Sequence, residues 1–448
     1  MRAFPNAIFG EFYSRGRITA MSQIVGPLCG LAFVFLFPIQ AMAQGLADQQ
    51  LELGAQAIAV VTRESPAIHG ATLTEGYLTQ PVLMADLGLW KNALHLKGTI
   101  DFEGTTLKRG ELNAGMTGEG YADRRHPHTY LHELVATVQR QIGHASASLT
   151  AGKGFAPFGT DDPMSRPFEK YPINHHLSQI LERAITVVAV QAKSIIVEGG
   201  LFNGDEPEGP GDTPNRRRYW DSWSGRVTAN PFTQTELQAS YARVKSPENA
   251  AGGGLDQRKQ SASIRLEDPQ QSGYALLEWA RTADYAGAQQ AFVYSTLLAE
   301  TWAKYGAVNG ALRFERTDRP DEERLLDPFR TSVPEPDLSV AGRSRWNILT
   351  ARFATSLPGA IALDPFVEIA RIRVRELIEP SGFDPRAFYG STRMWSVSLG
   401  AKMSFGMTHM RMGRYGAAAA RSAQMKKSGE AMPGMKMGGG SNAAAIGK

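Results

Sequence analysis

Long segments of alternating apolar and polar residues are the feature that most limits what this chain can fold into. In residues 394–407 every second position is apolar, from Trp395 to Phe405, and the positions between them are small or polar. Successive side chains of a β-strand point to opposite faces, so this period of two predicts strands with one apolar and one polar face. The same pattern recurs in three further segments: residues 235–243, 261–266 and 311–316.

Three properties of these segments favour a membrane barrel over the alternative, a secreted β-sandwich. The predicted strands are about 9–13 residues long, the length that a tilted strand needs to cross a bilayer. Full charges such as Arg313, Glu315 and Lys402 stand in mid-strand, which suits a wet lumen and not a dry core. Aromatic residues such as Trp223 and Trp395 lie near strand ends, as in the girdles at membrane interfaces. The sequence therefore predicts an all-β fold, a transmembrane antiparallel β-barrel.

The spacing of the segments predicts the number of strands. Roughly fifteen candidates lie between residues 77 and 407, and single-chain bacterial barrels have an even number of strands. We predict about 16 strands, with about 14 as the alternative. The missing strand is expected in the poorly patterned residues 56–74. The barrel is predicted at residues 63–413, after an N-terminal segment of the mature chain at residues 44–62.

The first 43 residues carry the marks of export. Arg15 and Arg17 precede an apolar run at residues 24–39, and the triplet A-M-A follows at residues 41–43. A positive start, a short apolar core and a small-residue cleavage site are the layout of a cleaved secretory signal peptide. Cleavage would remove the single cysteine, Cys29, and leave a chain without disulfides. We expect the protein in the bacterial outer membrane.

Positive charge is concentrated at the end of the chain. The formal net charge is +4, and residues 414–448 contain six Lys or Arg residues and one Glu. The remainder of the chain has no basic surplus of the kind that binds a phosphate backbone. We therefore expect no nucleic-acid partner.

The most specific motif lies at residues 152–159, which read G-K-G-F-A-P-F-G and lead into a polar loop ending in L-E-R at residues 181–183. This passage resembles the Gly…Phe…Pro-Phe-Gly…Glu-Arg passage of the phosphate-selective porin superfamily. The resemblance implies that an ascending strand ends here and that residues 160–183 fold into the pore as a constriction loop. The candidate constriction residues are Asp161, Asp162, Arg166, Glu169, Lys170, Glu182 and Arg183. Their mixed charge departs from the lysine cluster of that family, and an exposed loop without a role in permeation is the alternative.

A second candidate for selectivity is the segment F-V-E-I-A-R-I-R-V-R at residues 366–375. Alternate positions there are arginines: Arg371, Arg373 and Arg375. If the apolar residues between them meet lipid, the three guanidinium groups line the lumen and favour anions. The alternative is that they pair with lumen carboxylates such as Glu315.

The segment H-P-H-T-Y-L-H-E at residues 126–133 contains three candidate ligands for Cu²⁺, Ni²⁺ or Zn²⁺: His126, His128 and His132. On a strand His132 shares a face with the apolar residues that follow it, while Glu133 points to the opposite face. The separation argues against a metalloprotease site, in which a glutamate must act beside the metal. We expect the histidines at the extracellular rim, and a rim that binds nothing specific is the alternative.

Methionine is concentrated near the C-terminus. Of the 15 methionines, nine lie between residues 394 and 437. Residues 414–448 are rich in Gly, Ala, Ser and Lys, and we predict a disordered, basic periplasmic tail. Thioethers suit Cu(I), and the spacing M-x-x-M-x-M resembles motifs of periplasmic copper-handling proteins. The candidate copper ligands are His409, Met432, Met435 and Met437; a tail without ligands is the alternative.

These observations predict a porin-like channel for passive diffusion of small hydrophilic or ionic solutes, with no enzymatic activity and no required cofactor. Copper is the candidate ion. The expected partners are outer-membrane lipid, small solutes or ions, copper and periplasmic copper proteins, and the resemblance to porins implies a homotrimer. Two alternatives stay open: a copper-binding barrel for metal resistance without an open pore, and an outer-membrane hydrolase, although no G-x-S-x-G motif is present.

Overall fold

The computed structural model describes residues 50–67, 70–106, 128–161, 163–173, 175–207, 209–270, 272–322, 340–357, 359–377, 384–406 and 411–419. The predicted signal peptide, residues 1–43, lies outside them. The strands are β1 Gln50–Ser65, β2 Leu73–Leu89, β3 Leu94–Asp101, β4 Leu131–Ile142, β5 Ala145–Gly154, β6 Arg183–Ala192, β7 Ile195–Phe202, β8 Ser222–Phe232, β9 Thr235–Val244, β10 Asp256–Glu267, β11 Gly273–Ala286, β12 Gln289–Tyr305, β13 Val308–Glu322, β14 Val340–Thr355, β15 Ala362–Glu376 and β16 Arg393–Gly406.

The sixteen strands form one closed antiparallel barrel. Each strand pairs with its neighbours in sequence, and β1 closes the barrel by pairing with β16 from Gly54 opposite Gly406 to Ser65 opposite Trp395. Closure leaves no sheet edge, which is what a sheet in lipid requires because unpaired backbone groups find no water there. The predicted antiparallel barrel of 16 strands is confirmed.

Helices are short and lie in the connections between strands. They are α1 Glu103–Thr106, α2 His175–Ser178 and α3 Pro385–Tyr389, with 3₁₀ turns at Pro163–Ser165, Arg216–Arg218 and Gly416–Ala418. Within the described ranges no helix is both long and apolar enough to cross a membrane.

The barrel wall is apolar outside and polar inside. On β16, Trp395 is 42% exposed and Leu399 61%, whereas Ser396 and Ser398 between them are buried. The outward residues Trp223 on β8 and Trp395 on β16 lie near strand ends, as predicted. Inward positions carry charges of both signs, including Glu198, Arg226, Glu278, Glu300, Arg313, Glu315, Arg352 and Glu368. An apolar outer band around a polar interior is the surface pattern of a barrel that sits in a bilayer.

The connections define the two ends of the barrel. Gly143 and His144 join β4 to β5 by a tight turn, and connections of two to six residues follow the other even-numbered strands up to β14. The long connections lie at the opposite end. Short turns thus lie at one end of the barrel and long loops at the other, and β5 ends with Gly154 at the end that carries the long loops.

Two predicted boundaries of the barrel are wrong. The barrel begins at Gln50 and not at residue 63, because most of the predicted N-terminal segment 44–62 belongs to β1. This strand escaped the period-of-two pattern because alanines point outward while Ile58 and Val60 point inward, so both faces are apolar. At the other end the last strand stops at Gly406, before the predicted boundary at residue 413.

Candidate functional site

The candidate site is the part of the lumen that two inserted segments occupy. We call residues 155–182, between β5 and β6, the lumen loop, and residues 411–419, after β16, the C-terminal strap. The lumen loop begins in the motif at residues 152–159. Gly159 has a φ of 68°, and a Cβ there would overlap the carbonyl oxygen of Ser178 on the returning limb. A glycine is therefore required where the two limbs of the loop pass each other.

The first limb crosses toward β10, β11 and β12. The carboxylate of Asp161 accepts hydrogen bonds from Arg265 on β10, at 3.2 Å, and from Arg411 of the strap. Burial raises the pKa of Asp161, but the two guanidinium groups outweigh it and hold the pKa well below its usual value. Arg166 donates to the Thr160 hydroxyl at 2.8 Å, and its guanidinium lies 3.7 Å from the Glu278 carboxylate. The loop is thus fastened to this wall by charge.

The tip of the loop reaches the opposite wall. Tyr77 on β2 donates to the Glu169 carboxylate at 3.0 Å, and Lys170 donates to the Thr62 hydroxyl on β1 at 3.2 Å. The backbone N–H of Ile173 donates to Glu315 on β13 at 2.7 Å. Contacts with β10 to β13 on one side and with β1 and β2 on the other show that the loop lies across the lumen, while its role as a constriction stays a prediction.

The returning limb ends at Glu182 and Arg183. Glu182 accepts hydrogen bonds from the backbone N–H of Thr129 at 3.1 Å and from His132 Nδ1 at 2.6 Å. Burial raises the pKa of Glu182, but the hydrogen bonds from His128 and His132 outweigh it and hold the pKa well below its usual value. Arg183 pairs with Glu206 at 3.0 Å. Of the seven predicted constriction residues, only Asp162 lies outside the described part of the chain.

The C-terminal strap lies inside the barrel. Arg411 and Arg414 both donate to Glu236 on β9, at 2.8 Å and 2.7 Å. The Tyr415 hydroxyl donates to Glu133 on β4 at 2.7 Å and accepts from the Phe155 N–H at 2.9 Å. The prediction of a disordered periplasmic tail from residue 414 is therefore wrong for residues 414–419. Polar contacts to the lumen wall order them where composition alone predicted no structure.

One buried ion pair holds both inserts. Arg226 on β8 and Glu198 on β7 face each other in register and form two hydrogen bonds, of 2.6 Å and 2.7 Å. The same guanidinium donates to the carbonyl oxygen of Gly159 in the loop at 3.2 Å and of Gly413 in the strap at 3.0 Å. Sequence analysis missed this pair. Its only signal was a charged residue at an inward position of each strand.

The predicted arginine ladder faces the wrong way for the lumen. Arg371, Arg373 and Arg375 are exposed on the outer face of β15, above the lipid-facing Ile369. Ala370, Ile372 and Val374 point inward instead, where they pack with loop residue Ile173, Trp346 of β14 and Tyr389 of α3. The prediction assumed that apolar residues must meet lipid, but folded-in loops give this part of the lumen an apolar wall.

We expect the triple substitution of these arginines by glutamine to leave the reversal potential in a salt gradient unchanged, because the barrel wall separates them from the pore. The matched control is Arg352→Gln on β14, whose side chain points into the lumen and donates to Asn309 at 3.3 Å. The control should shift the reversal potential toward cation preference. A shift in the triple variant alone would contradict this orientation.

The structure brings two of the predicted metal ligands together. His128 and His132 both lie beside Glu182, which was predicted only as a constriction residue. The alternation of side chains along β4 predicted that Glu133 points into the barrel and His132 away from it. An irregularity in the pairing of β3 with β4 buries the His132 side chain inside the barrel as well. His126, His409, Met432, Met435 and Met437 lie outside the described residues, so copper binding by the tail stays a prediction.

No protein-family profile matches the chain, and no curated protein matches its sequence. Solved structures are similar to it. An anion-selective porin from Comamonas acidovorans has a TM-score of 0.48 and 10% identity, over 80% of this chain and all of that one. OmpT of Vibrio cholerae, an outer membrane protein in a trimer form, has a TM-score of 0.46 and 10% sequence identity, over 80% of this chain and 99% of that one. OccK3 of Pseudomonas aeruginosa has a TM-score of 0.38 and 12% sequence identity, over 82% of this chain and 99% of that one. The similarity of this chain to these structures is in the fold alone, and neither a role nor a solute follows from it.

Proposed function

We propose that the protein is an outer-membrane channel through which small hydrophilic or ionic solutes diffuse passively. The observation that carries the proposal is the charged inner wall of a sixteen-strand barrel. A barrel of this size is too wide for its own wall side chains to fill, so its interior holds water or inserted segments. Charged side chains of the inner wall that keep partial exposure, such as Arg265 at 11% and Glu236 at 15%, are stable beside water and costly in a dry core.

The two inserts would set the size limit of the channel. The strap covers the wall from β4 to β9, through its contacts with Glu133 and Glu236. The lumen loop adds paired charges of both signs, such as Asp161 with Arg265 and Arg166 with Glu278. A narrow, polar passage of this kind would admit solutes according to their size. Its paired charges would interact with passing ions without binding them tightly.

The apolar outer band and the aromatic strand ends support a position in the outer membrane, with lipid as the first partner. The homotrimer, the absence of enzymatic activity and the link to copper and its periplasmic proteins stay predictions. The copper-binding barrel without an open pore and the hydrolase stay alternatives.

Planar-bilayer recording of the full mature chain, refolded in detergent, tests the channel. We expect discrete conductance steps, and liposome swelling with sugars of increasing size should give the exclusion limit. Protein unfolded by heat is the control for leakage. A silent bilayer containing protein that is folded, as shown by its heat-modifiable mobility on a gel, would overturn the proposal and favour the alternatives.

A further inference from the structure

A cluster of two histidines and a carboxylate lies where the lumen loop rejoins the barrel. His128 precedes β4, His132 is on β4, and Glu182 is the last residue of the loop. All three are buried, with 5%, 0% and 5% of their surface exposed. One ligand atom of each lies within 4.8 Å of the others. Three donor groups from two separate segments thus converge on one point inside the protein.

The backbone is shaped to make this convergence. The pairing of β3 with β4 shifts register between Thr99 and Ile100, opposite His132. This β-bulge re-aims the imidazole from the lipid face into the interior, an effect for which bulges near functional sites are known. Glu182 adopts a φ of 57°, a left-handed conformation that glutamate rarely takes. Two local departures from regular structure therefore serve the same cluster.

The distances fit a metal ion with a small adjustment. Two ligands at about 2.1 Å from a tetrahedral zinc ion stand about 3.4 Å apart. His128 Nδ1 lies 3.4 Å from Glu182 Oε1, which matches. His132 Nδ1 lies 2.6 Å from the same oxygen, in a hydrogen bond that an ion would replace. The His132 imidazole would need to move away from the Glu182 carboxylate by less than about 1 Å for both groups to bind the same ion.

A nearby carboxylate adds a second, independent sign of a cation. Asp101 at the end of β3 is fully buried and lies close enough to His128 and His132 to interact with both electrostatically. Its Oδ1 accepts from the Glu103 N–H at 2.8 Å, whereas its Oδ2 has no hydrogen-bond partner among the described residues. A buried carboxylate oxygen without a donor costs free energy unless a cation or an ordered water lies beside it or the carboxyl group holds a proton.

We propose that His128, His132 and Glu182 bind one divalent transition-metal ion, of the kind for which imidazole and carboxylate ligands are suited, such as Zn²⁺ or Cu²⁺. Asp101 balances the charge of the ion from beyond the three ligands. The ion links the returning limb of the lumen loop to β4 and so fixes the loop at its base. The site does not depend on the proposed channel function, because binding is measured on folded protein without transport.

Zinc binding to the refolded full chain in detergent tests the proposal. Zn²⁺ is the probe because the thioethers of the methionine-rich tail bind it poorly. We expect one tight ion per chain, and X-ray absorption should show nitrogen and oxygen ligands. His128→Gln and Glu182→Gln should each weaken binding by roughly 100-fold or more, since even outer partners of such sites are worth 10–100-fold.

The matched control is His95→Gln on β3, a histidine that pairs with Asp86 at 3.3 Å and is outside the cluster. It should leave zinc affinity unchanged. Heat-modifiable mobility checks that each variant is folded, and if Glu182→Gln does not fold, His128→Gln alone decides. Folded wild-type protein that binds no zinc, or binding that both cluster variants retain in full, would overturn the proposal.

Discussion

Ending the chain after Gly406 is expected to raise the single-channel conductance roughly two- to fivefold, because ion flow grows with the open cross-section of a pore. The truncation removes the C-terminal strap, which lies along the lumen wall from β4 to β9. With it go Arg411 and Arg414, whose guanidinium groups neutralise Glu236. The freed carboxylates should also shift the reversal potential toward cations. Planar-bilayer recording in a salt gradient measures both quantities.

The matched control is a chain that ends after Ala419. It keeps the strap and its contacts, including the hydrogen bond from the Ala417 N–H to Ser148, and removes only residues 420–448. Its conductance should equal that of the full chain. If the two truncated chains conduct alike, the strap does not limit the pore and its position in the lumen has another purpose.

Replacing Arg226 by Met is expected to lower the free energy of unfolding by about 3–5 kcal/mol, the usual cost of leaving one charge of a buried pair without its partner. Glu198 would then be buried without its counterion, since both side chains are only 1% exposed. The lumen loop and the strap would each lose a hydrogen bond to the wall, at Gly159 and Gly413. Urea unfolding of the protein in lipid vesicles measures the loss, and recording should show noisy, larger currents.

Two comparisons separate the ion pair from the anchoring of the inserts. The double variant Glu198→Leu with Arg226→Met has no unpaired charge, so it should recover most of the stability while the currents stay noisy. Arg371→Met, on the exposed outer face, should change the free energy of unfolding by less than about 0.5 kcal/mol. Quiet currents in the double variant would show that Arg226 does not hold the inserts in place.

The wall of the barrel was predictable because each strand repeats one physical rule. In β16 the alternation of Trp395, Val397 and Leu399 with serines distinguishes lipid from lumen without any knowledge of partners. The rule fails where both sides of the wall are apolar. In β1 the outward residues are small alanines, and in β15 the inward Ile372 packs against the lumen loop. The alternation of side chains along a strand assigns each residue to one of two faces, but it does not show whether a face contacts lipid, water or another part of the chain.

The constriction could be predicted only in part. The motif at residues 152–159, with three glycines, two phenylalanines and Pro157, predicted the loop through its resemblance to a porin passage, and Gly152 and Gly159 adopt positive φ angles that few other residues take. The strap has no such motif. It is held by Arg411, Arg414 and Tyr415, whose partners are remote in sequence, and a Gly- and Ala-rich segment has the composition of disorder. Likewise, a bulge changes the direction of His132 through the pairing of β3 with β4, which period alone cannot reveal.

The position of the strap at the very end of the barrel sequence imposes an order on assembly. Its partners Glu133, Ser148 and Glu236 lie on strands far from β16, on walls that surround it only when the sheet has curled into a tube. The strap can therefore dock only after, or together with, the pairing of β1 with β16. Until then Glu236 lacks the guanidinium groups of Arg411 and Arg414 that neutralise it. Residues that follow the last strand would thus neutralise a carboxylate on a strand made much earlier, and a chain that stalls before Arg411 would close around a lumen that holds only the lumen loop.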